Sequence, residues 1–256
     1  MRSDSTMSIL DHLEDLRKMI LRSCMAIFFG MIPSVIYMRE ILQFLYAPLR
    51  KLGVDPETFL VVPQVMGSFK VFVSVMFWGG LLLASPFIVF FIAQFIFPGL
   101  HANEKQVIRR SSWAAVLLFF AGGALGYLGT IHYALQTLIF ALNDWMGTTT
   151  EWIYLTDYIA FVLKLIMGFG LAFQLPLIVL MIGYADLIGS DSLRKSRRHV
   201  LVGLLIMAML LTPPEPISQI IMGLSLYVLY EGCILLISRH EKKAQIRSLK
   251  PEIRSR

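Results

Sequence analysis

Two long stretches of this chain, residues 71–100 and 113–142, carry no acidic or basic side chain, and the second is interrupted only by His132. Nothing else in the sequence constrains the fold as strongly. About 20 consecutive apolar residues cross the hydrocarbon core of a bilayer as a helix. In lipid each backbone amide must find its partner inside the protein, which a helix guarantees. Four further stretches fit the same reading. Residues 23–38 lie between Arg22 and Arg39, 159–185 hold one charge (Lys164), 200–212 hold none, and 217–238 hold only Glu231. The composition agrees. Hydrophobic residues make up 57% and charged residues 16%, where soluble domains carry about 25% charged residues. A mean hydropathy of +0.69 requires apolar side chains to meet lipid as well as one another.

The connections fix an expected orientation. Basic residues concentrate before the first span (Arg2, Arg17, Lys18, Arg22), after the second (Lys105, Arg109, Arg110), after the fourth (Arg194, Lys195, Arg197, Arg198) and behind the last. The third connection holds Asp144, Glu151 and Asp157 with no base before Lys164, and the fifth, 213–216, has none. Only the first connection, 39–70, breaks the contrast. The positive-inside rule then predicts both termini in the cytoplasm, and six spans satisfy that parity. The expected architecture is an all-α membrane protein built as a single domain over 1–256. It has an amphipathic cytoplasmic segment over 1–22, six spans forming a concave bundle, short fifth and sixth spans, and a basic tail over 239–256. Thirteen residues of helix reach only about 20 Å, so the fifth span predicts a locally thinned bilayer. Pro33, Pro86 and Pro176 are expected to bend their helices. Gly122 and Gly126 form a G-x-x-x-G face suited to helix packing.

The sequence excludes most chemistry. There is no P-loop and no nucleophile elbow, and His240-Glu241 lacks the second histidine of a zinc protease motif, because Ala244 stands in its place. Cys24 and Cys233 sit in apolar segments without metal-ligand spacing. No cofactor, metal or covalent catalysis is expected. The net charge of +6 reads as orientation rather than nucleic-acid binding. No cleavable signal peptide is expected, since the first 22 residues mix acids and bases.

Polar residues in unusual places remain. Residues 8–22 read as an amphipathic helix, with Ile9, Leu13, Leu16 and Ile20 on one side and Glu14, Asp15, Lys18 and Arg22 on the other. Glu104 is the lone acid of a basic loop. Gln174 lies within a span, where an amide requires hydrogen-bond partners from its own bundle or from another helix. A small-solute transporter is the alternative these polar residues leave open, but no related halves with paired broken helices are visible.

Several motifs carry a resemblance. His12-Leu13-Glu14-Asp15-Leu16-Arg17, Ala47-Pro48-Leu49, the F-x-x-P-x-L-x-x-x-E-K pattern of residues 95–105, Phe173-Gln174-Leu175-Pro176, the basic run from Leu193 and Leu211-Thr212-Pro213-Pro214-Glu215 resemble the TatC family. TatC is the large subunit of the twin-arginine protein translocase, and the match runs over residues 8–240. The resemblance implies a non-enzymatic receptor for twin-arginine signal peptides on folded cargo. It implies residence in the bacterial cytoplasmic membrane, assembly with single-span TatA and TatB subunits and further copies of itself, and transport driven by the proton-motive force. It places the signal-peptide site at Asp15 and Glu104, with Glu14, Arg17, Phe95, Leu100 and Lys105 beside them, and partner contacts at Gln174, Pro48 and Glu215. Two consecutive arginines suit two carboxylates, each accepting one guanidinium fork bidentately in a way lysine does not reproduce. The chain departs from the family in having Asp15 for Glu, Gln174 for the fourth-span Glu, and Glu215 for Asp.

Overall fold

The computed structural model describes residues 9–96, 105–149, 151–184, 188–212 and 215–254. Among the described residues, five helical segments are long and apolar enough to cross a membrane: His12–Ile36, Gly67–Ile92, Trp113–Met146, Leu155–Tyr184 and Pro216–Lys242. A sixth apolar helix, α11 (Arg197–Leu211), has only 15 residues, about 22 Å of rise. The chain forms two compact units. One comprises residues 1–117 and 152–163; the other comprises 118–151 and 164–256.

The first unit is built on α1 (Ile9–Ile36) and α4 (Gly67–Ile96). Two glycines let their backbones meet: a Cβ on Gly30 would stand 2.5 Å from the Gly80 carbonyl oxygen. Ser34, fully buried, closes the same crossing by donating to the Gly30 carbonyl at 3.0 Å. The expected interfacial helix followed by a separate span is one continuous helix, and its less exposed side takes residues from both faces of the expected amphipathic pattern. Leu13 and Ile20 are exposed, whereas Asp15, Leu16 and Met19 are half-buried. The packed stripe is set by the close approach of Gly30 and Ser34 to Gly80 and Gly79 further along the helix.

The first connection is a folded cap. α2 (Met38–Lys51) buries Leu45, Pro48 and Leu49. It ends at Gly53, whose φ of +76° allows the Gly53 and Val54 amides to reach back to the Arg50 and Leu49 carbonyls at 3.1 and 3.2 Å, a Schellman closure. α3 (Pro56–Phe59) starts from Asp55, which caps it by accepting the Glu57 amide at 3.2 Å. Next, β1 (Leu60–Val61) pairs in parallel with β2 (Ile153–Tyr154). The first and third connections are thereby bonded to one another and share one end of this unit. Tyr158 adds a second tie, donating to the Leu45 carbonyl at 2.6 Å.

The third long helix begins in the first unit as α5 (Lys105–Ala124) and belongs to the second from residue 118. It continues through a π-helical stretch at Leu125–Thr130, α6 (Ile131–Leu135), a second π-helical stretch at Gln136–Ala141, and α7 (Leu142–Met146). It runs past residue 142 and stops at Gly147, φ +65°. The G-x-x-x-G face packs inside the unit: Cβ atoms on Gly122 and Gly126 would meet Phe173 and Phe169 at 2.7 and 3.0 Å. α8 (Leu155–Ala172) and α9 (Leu175–Tyr184) are one span broken in the middle. The break falls where Pro176 removes the amide that would have bonded Ala172, four residues back. Pro33 and Pro86, by contrast, lie inside helices that carry through.

The last helix differs from expectation. α12 (Pro216–Arg254) has 39 residues and is not short, and the basic tail is its direct continuation. Only α11 is short. Arg197 pairs with Glu231 at 2.7 Å, and Tyr227 donates to the same carboxylate at 3.2 Å. Glu231 therefore pairs with the start of α11. Further along, Glu241 accepts both the amide and the hydroxyl of Ser190, which opens α10 (Ser190–Lys195). Tyr230 donates to the Leu193 carbonyl at 2.9 Å above a cluster of Leu193, Ile234 and Ile237.

Candidate functional site at the α1 and α4 ends

The residues singled out in the sequence begin to converge at one end of the first unit. The His12 imidazole stacks on the Phe95 ring, with centroids 4.6 Å apart and planes 20° from parallel. This contact joins the amino-terminal motif to the residue that opens the loop motif, although 83 positions' worth of chain separates them in sequence. It holds the first turns of α1 against the last turns of α4. Asp15, one helical turn beyond His12, lies on the same packed stripe of α1 and is half-buried. Its carboxylate makes no hydrogen bond or ion pair with another described residue.

Glu14 is differently placed. It is exposed and pairs with Lys18 at 2.9 Å, the i,i+4 arrangement that suits a helix surface. The two adjacent acids thus separate: Glu14 is exposed and occupied by its own helix, while Asp15 is half-buried. Arg17 is exposed. Leu100 and Glu104 lie outside the described residues. Lys105 opens α5, and its side chain lies outside the description too. The stack itself was not readable from spacing, since an exposed histidine and a phenylalanine so far apart carry no pairing signal in a single sequence.

Of the three residues expected to contact partner subunits, Pro48 belongs to the first unit, and Gln174 and Glu215 belong to the second. Pro48 is buried within the cap of the first unit. Gln174 is half-buried at the break between α8 and α9, where its backbone N–H donates to the Leu171 carbonyl at 3.0 Å. Glu215 is only 2% exposed and turned onto its own chain: its two oxygens accept the Ile217 and Ser218 amides at 3.0 and 2.9 Å. Burial pushes its pKa up, against the pull of those two amides. Among the described residues, no three of His, Cys, Asp and Glu are grouped to hold a metal ion.

Residues 11–224 match the model of the family described as Sec-independent protein translocase protein (TatC). The Sec-independent protein translocase protein TatC of Synechocystis sp. is 31% identical over 92% of this chain and 91% of its own length. That of Carboxydothermus hydrogenoformans is 33% identical over 91% and 93%. That of Escherichia coli (strain K12) is 28% identical over 90% and 88%. Among solved structures, the crystal structure of the twin-arginine translocase receptor TatC in DDM superposes with a TM-score of 0.75 at 26% identity, covering 88% of this chain and 98% of that one.

Proposed function

The chain belongs to the TatC family of Sec-independent protein translocase proteins, a transport component rather than an enzyme, and we propose that it is the receptor for twin-arginine signal peptides within such a translocase. The observation that carries this reading is the His12–Phe95 stack. By fixing the start of α1 against the end of α4, it keeps Asp15 beside the segment that leads to Glu104. A pair of carboxylates at that rim accepts two adjacent guanidinium groups, one fork each. Asp15 rather than Glu14 takes this role, because Glu14 is already engaged by Lys18. Arg17, Leu100 and Lys105 flank the peptide.

Both termini face the cytoplasm in this reading, and the membrane is the bacterial cytoplasmic membrane. The β1–β2 pairing supports the orientation: the first and third connections must lie on one side if they bond to each other, and that is the side expected to be external. The four bases of the first connection are then reconciled, since that connection is a folded cap rather than a short loop. Six spans require α11 to cross, and its 15 residues require the bilayer to thin around it. Single-span TatA- and TatB-type subunits and further copies of the chain complete the complex, and the proton-motive force drives transport. Gln174, at the helix break, contacts a partner helix by hydrogen bonding. Pro48 and Glu215 influence such contacts by shaping the cap and the α11–α12 turn. Crosslinking from position 174 tests the partner contact, and adducts with lipid alone would refute it.

The decisive experiment is binding of a labelled signal peptide to the purified protein in detergent. An Arg-Arg peptide is compared with its Lys-Lys version, then with Asp15→Asn and Glu104→Gln. Leaving one charge of a desolvated pair unpartnered costs about 2–5 kcal/mol, a weakening of roughly thirtyfold or more. Equal binding across all combinations would overturn the charge-recognition reading.

A further inference from the structure

We propose that Lys164 is the charged element of a docking seam along α8 and α9, and that its occupant is a membrane helix of another subunit bearing one Asp or Glu at the same depth. The seam extends the partner contact of Gln174 and rests on that reading.

Lys164 is the only charged residue between positions 159 and 185. It is exposed, although residues 165–170 directly after it are all buried. Its ammonium makes no hydrogen bond or ion pair with another described residue. The span Leu155–Tyr184 has 30 residues, a rise of about 45 Å against a hydrocarbon core of about 30 Å. Centred in that core, the helix holds the Lys164 backbone about 6 Å inside the boundary on the Leu155 side. An ionisable group at such a position is costly unless it has a partner.

The surroundings of Lys164 have the pattern of a helix seat. Leu171 and Ile178 follow it at intervals of seven residues and are both exposed, with Gln174 and Leu175 half-buried between them. All of these residues belong to the second unit. A seven-residue repeat keeps a narrow stripe on one side of a helix, the pattern by which one helix packs along another. Beside the stripe, α11 stops short. A Cβ on Gly168 would stand 3.0 Å from the carbonyl oxygen of Leu211, the last residue of α11. Lys164 lies one turn of α8 beyond that contact and is left uncovered.

Charge and length together select the occupant. From Lys164 to Ile178 the stripe runs about 21 Å along the axis, and in lipid a segment lying along it satisfies its own backbone by being helical. The ammonium calls for a carboxylate. A second copy of the chain does not supply one: residues 23–38, 71–100, 113–142 and 200–212 contain no acid, and Glu231, the only acid in 217–238, is held by Arg197. A phospholipid headgroup reached by the extended lysine stem is the competing partner. It leaves the polar Gln174, about 15 Å further along the same stripe, without a role, whereas one helix with an acid near its end serves both positions.

The test places the full-length protein in nanodiscs of dioleoylphosphatidylcholine and titrates in labelled leucine-alanine transmembrane peptides. Each peptide carries a single Glu, or Gln as its control, near one end of the apolar stretch, and association is read by energy transfer. The Glu peptide should bind roughly tenfold more tightly than the Gln peptide. Lys164→Met should abolish that preference, and Lys164→Glu should transfer it to a peptide with Lys at the same position, which also shows that the variant is folded. Equal binding of the Glu and Gln peptides would overturn the proposal, as would a preference that survives Lys164→Met. Weakened binding in Gln174→Leu with Lys164→Met unchanged would overturn the charged seam and leave the Gln174 contact standing. Binding that responds to neither substitution would overturn both.

Discussion

The Tyr158 hydroxyl donates to the backbone carbonyl of Leu45 at 2.6 Å, a bond between residues 113 positions apart that ties the start of α8 to the cap formed by the first connection. Tyr158 itself is 2% exposed. Tyr158→Phe keeps the ring and removes the donor, which leaves the carbonyl with less than its full complement of partners. A loss of about 1–3 kcal/mol is expected, read as a lowered unfolding midpoint in detergent with the parallel β1–β2 pairing weakened alongside it.

The α1–α4 crossing tolerates no side chain at its closest point. A methyl group on Gly30 would lie 2.5 Å from the Gly80 carbonyl oxygen, which is backbone and cannot move aside cheaply. Gly30→Ala is therefore expected to separate the helices and to reduce the yield of folded protein. Gly232→Ala is the control, since nothing lies within 4 Å of its added Cβ. There alanine should leave stability unchanged or raise it by up to about 1 kcal/mol through helix propensity. Equal effects at the two sites would show that propensity, not close approach, governs both.

The Arg197–Glu231 pair pins the first turn of α11 to α12, but its side chains are 45% and 29% exposed. Solvent screening limits what such a pair contributes. Glu231→Gln should cost less than about 1 kcal/mol, and the deficit should shrink as salt is added. A larger, salt-independent loss would mean that the Tyr227 hydrogen bond to Glu231 matters more than the charge.

Glu215 gives the turn a pH dependence of defined sign. Burial raises the carboxyl's folded-state pKa above the ordinary value of 4.5, so the folded protein binds this proton more tightly than the unfolded chain does. Its contribution to stability is then greatest at low pH and falls as pH rises from 4.5 through the raised value. Thermal unfolding of wild type and Glu215→Gln across that window should show a pH-dependent difference. Parallel profiles would rule out a titrating Glu215.

If the His12–Phe95 stack organises the receptor rim, His12→Ala and Phe95→Ala should both weaken signal-peptide binding while leaving the rest of α1 and α4 packed. His12→Phe, which preserves stacking, should retain more affinity than His12→Ala. Identical affinities for the two substitutions at position 12 would mean that the ring contact has no part in recognition.

Much of the helical plan was legible because lipid imposes a one-dimensional rule: apolar length and flanking charge are properties of consecutive residues. The prolines were legible as sites of a lost backbone bond, but only Pro176 breaks its span, while the helices of Pro33 and Pro86 carry through. The continuous α1, the π-helical stretches and the 39-residue α12 were not. Nothing at Arg22, Gly126 or Arg239 signals whether a helix stops, bulges or continues.

Within the site, the motifs named the participants but not their arrangement. Periodicity placed Asp15 on the solvent side of α1, yet it is half-buried, because the close approach at Gly30 and Ser34 decides which side of the helix packs. Glu14, placed beside Asp15 by the motif, is held by Lys18. By itself the sequence determined a membrane-spanning helical chain, the identity of its polar residues and its family. Only the tertiary structure decided that His12 meets Phe95, that the first and third connections bond, and that Glu215 is sealed against its own helix. Each of these depends on contacts between residues distant in the chain, whose energies arise from proximity and burial and are carried by no local pattern.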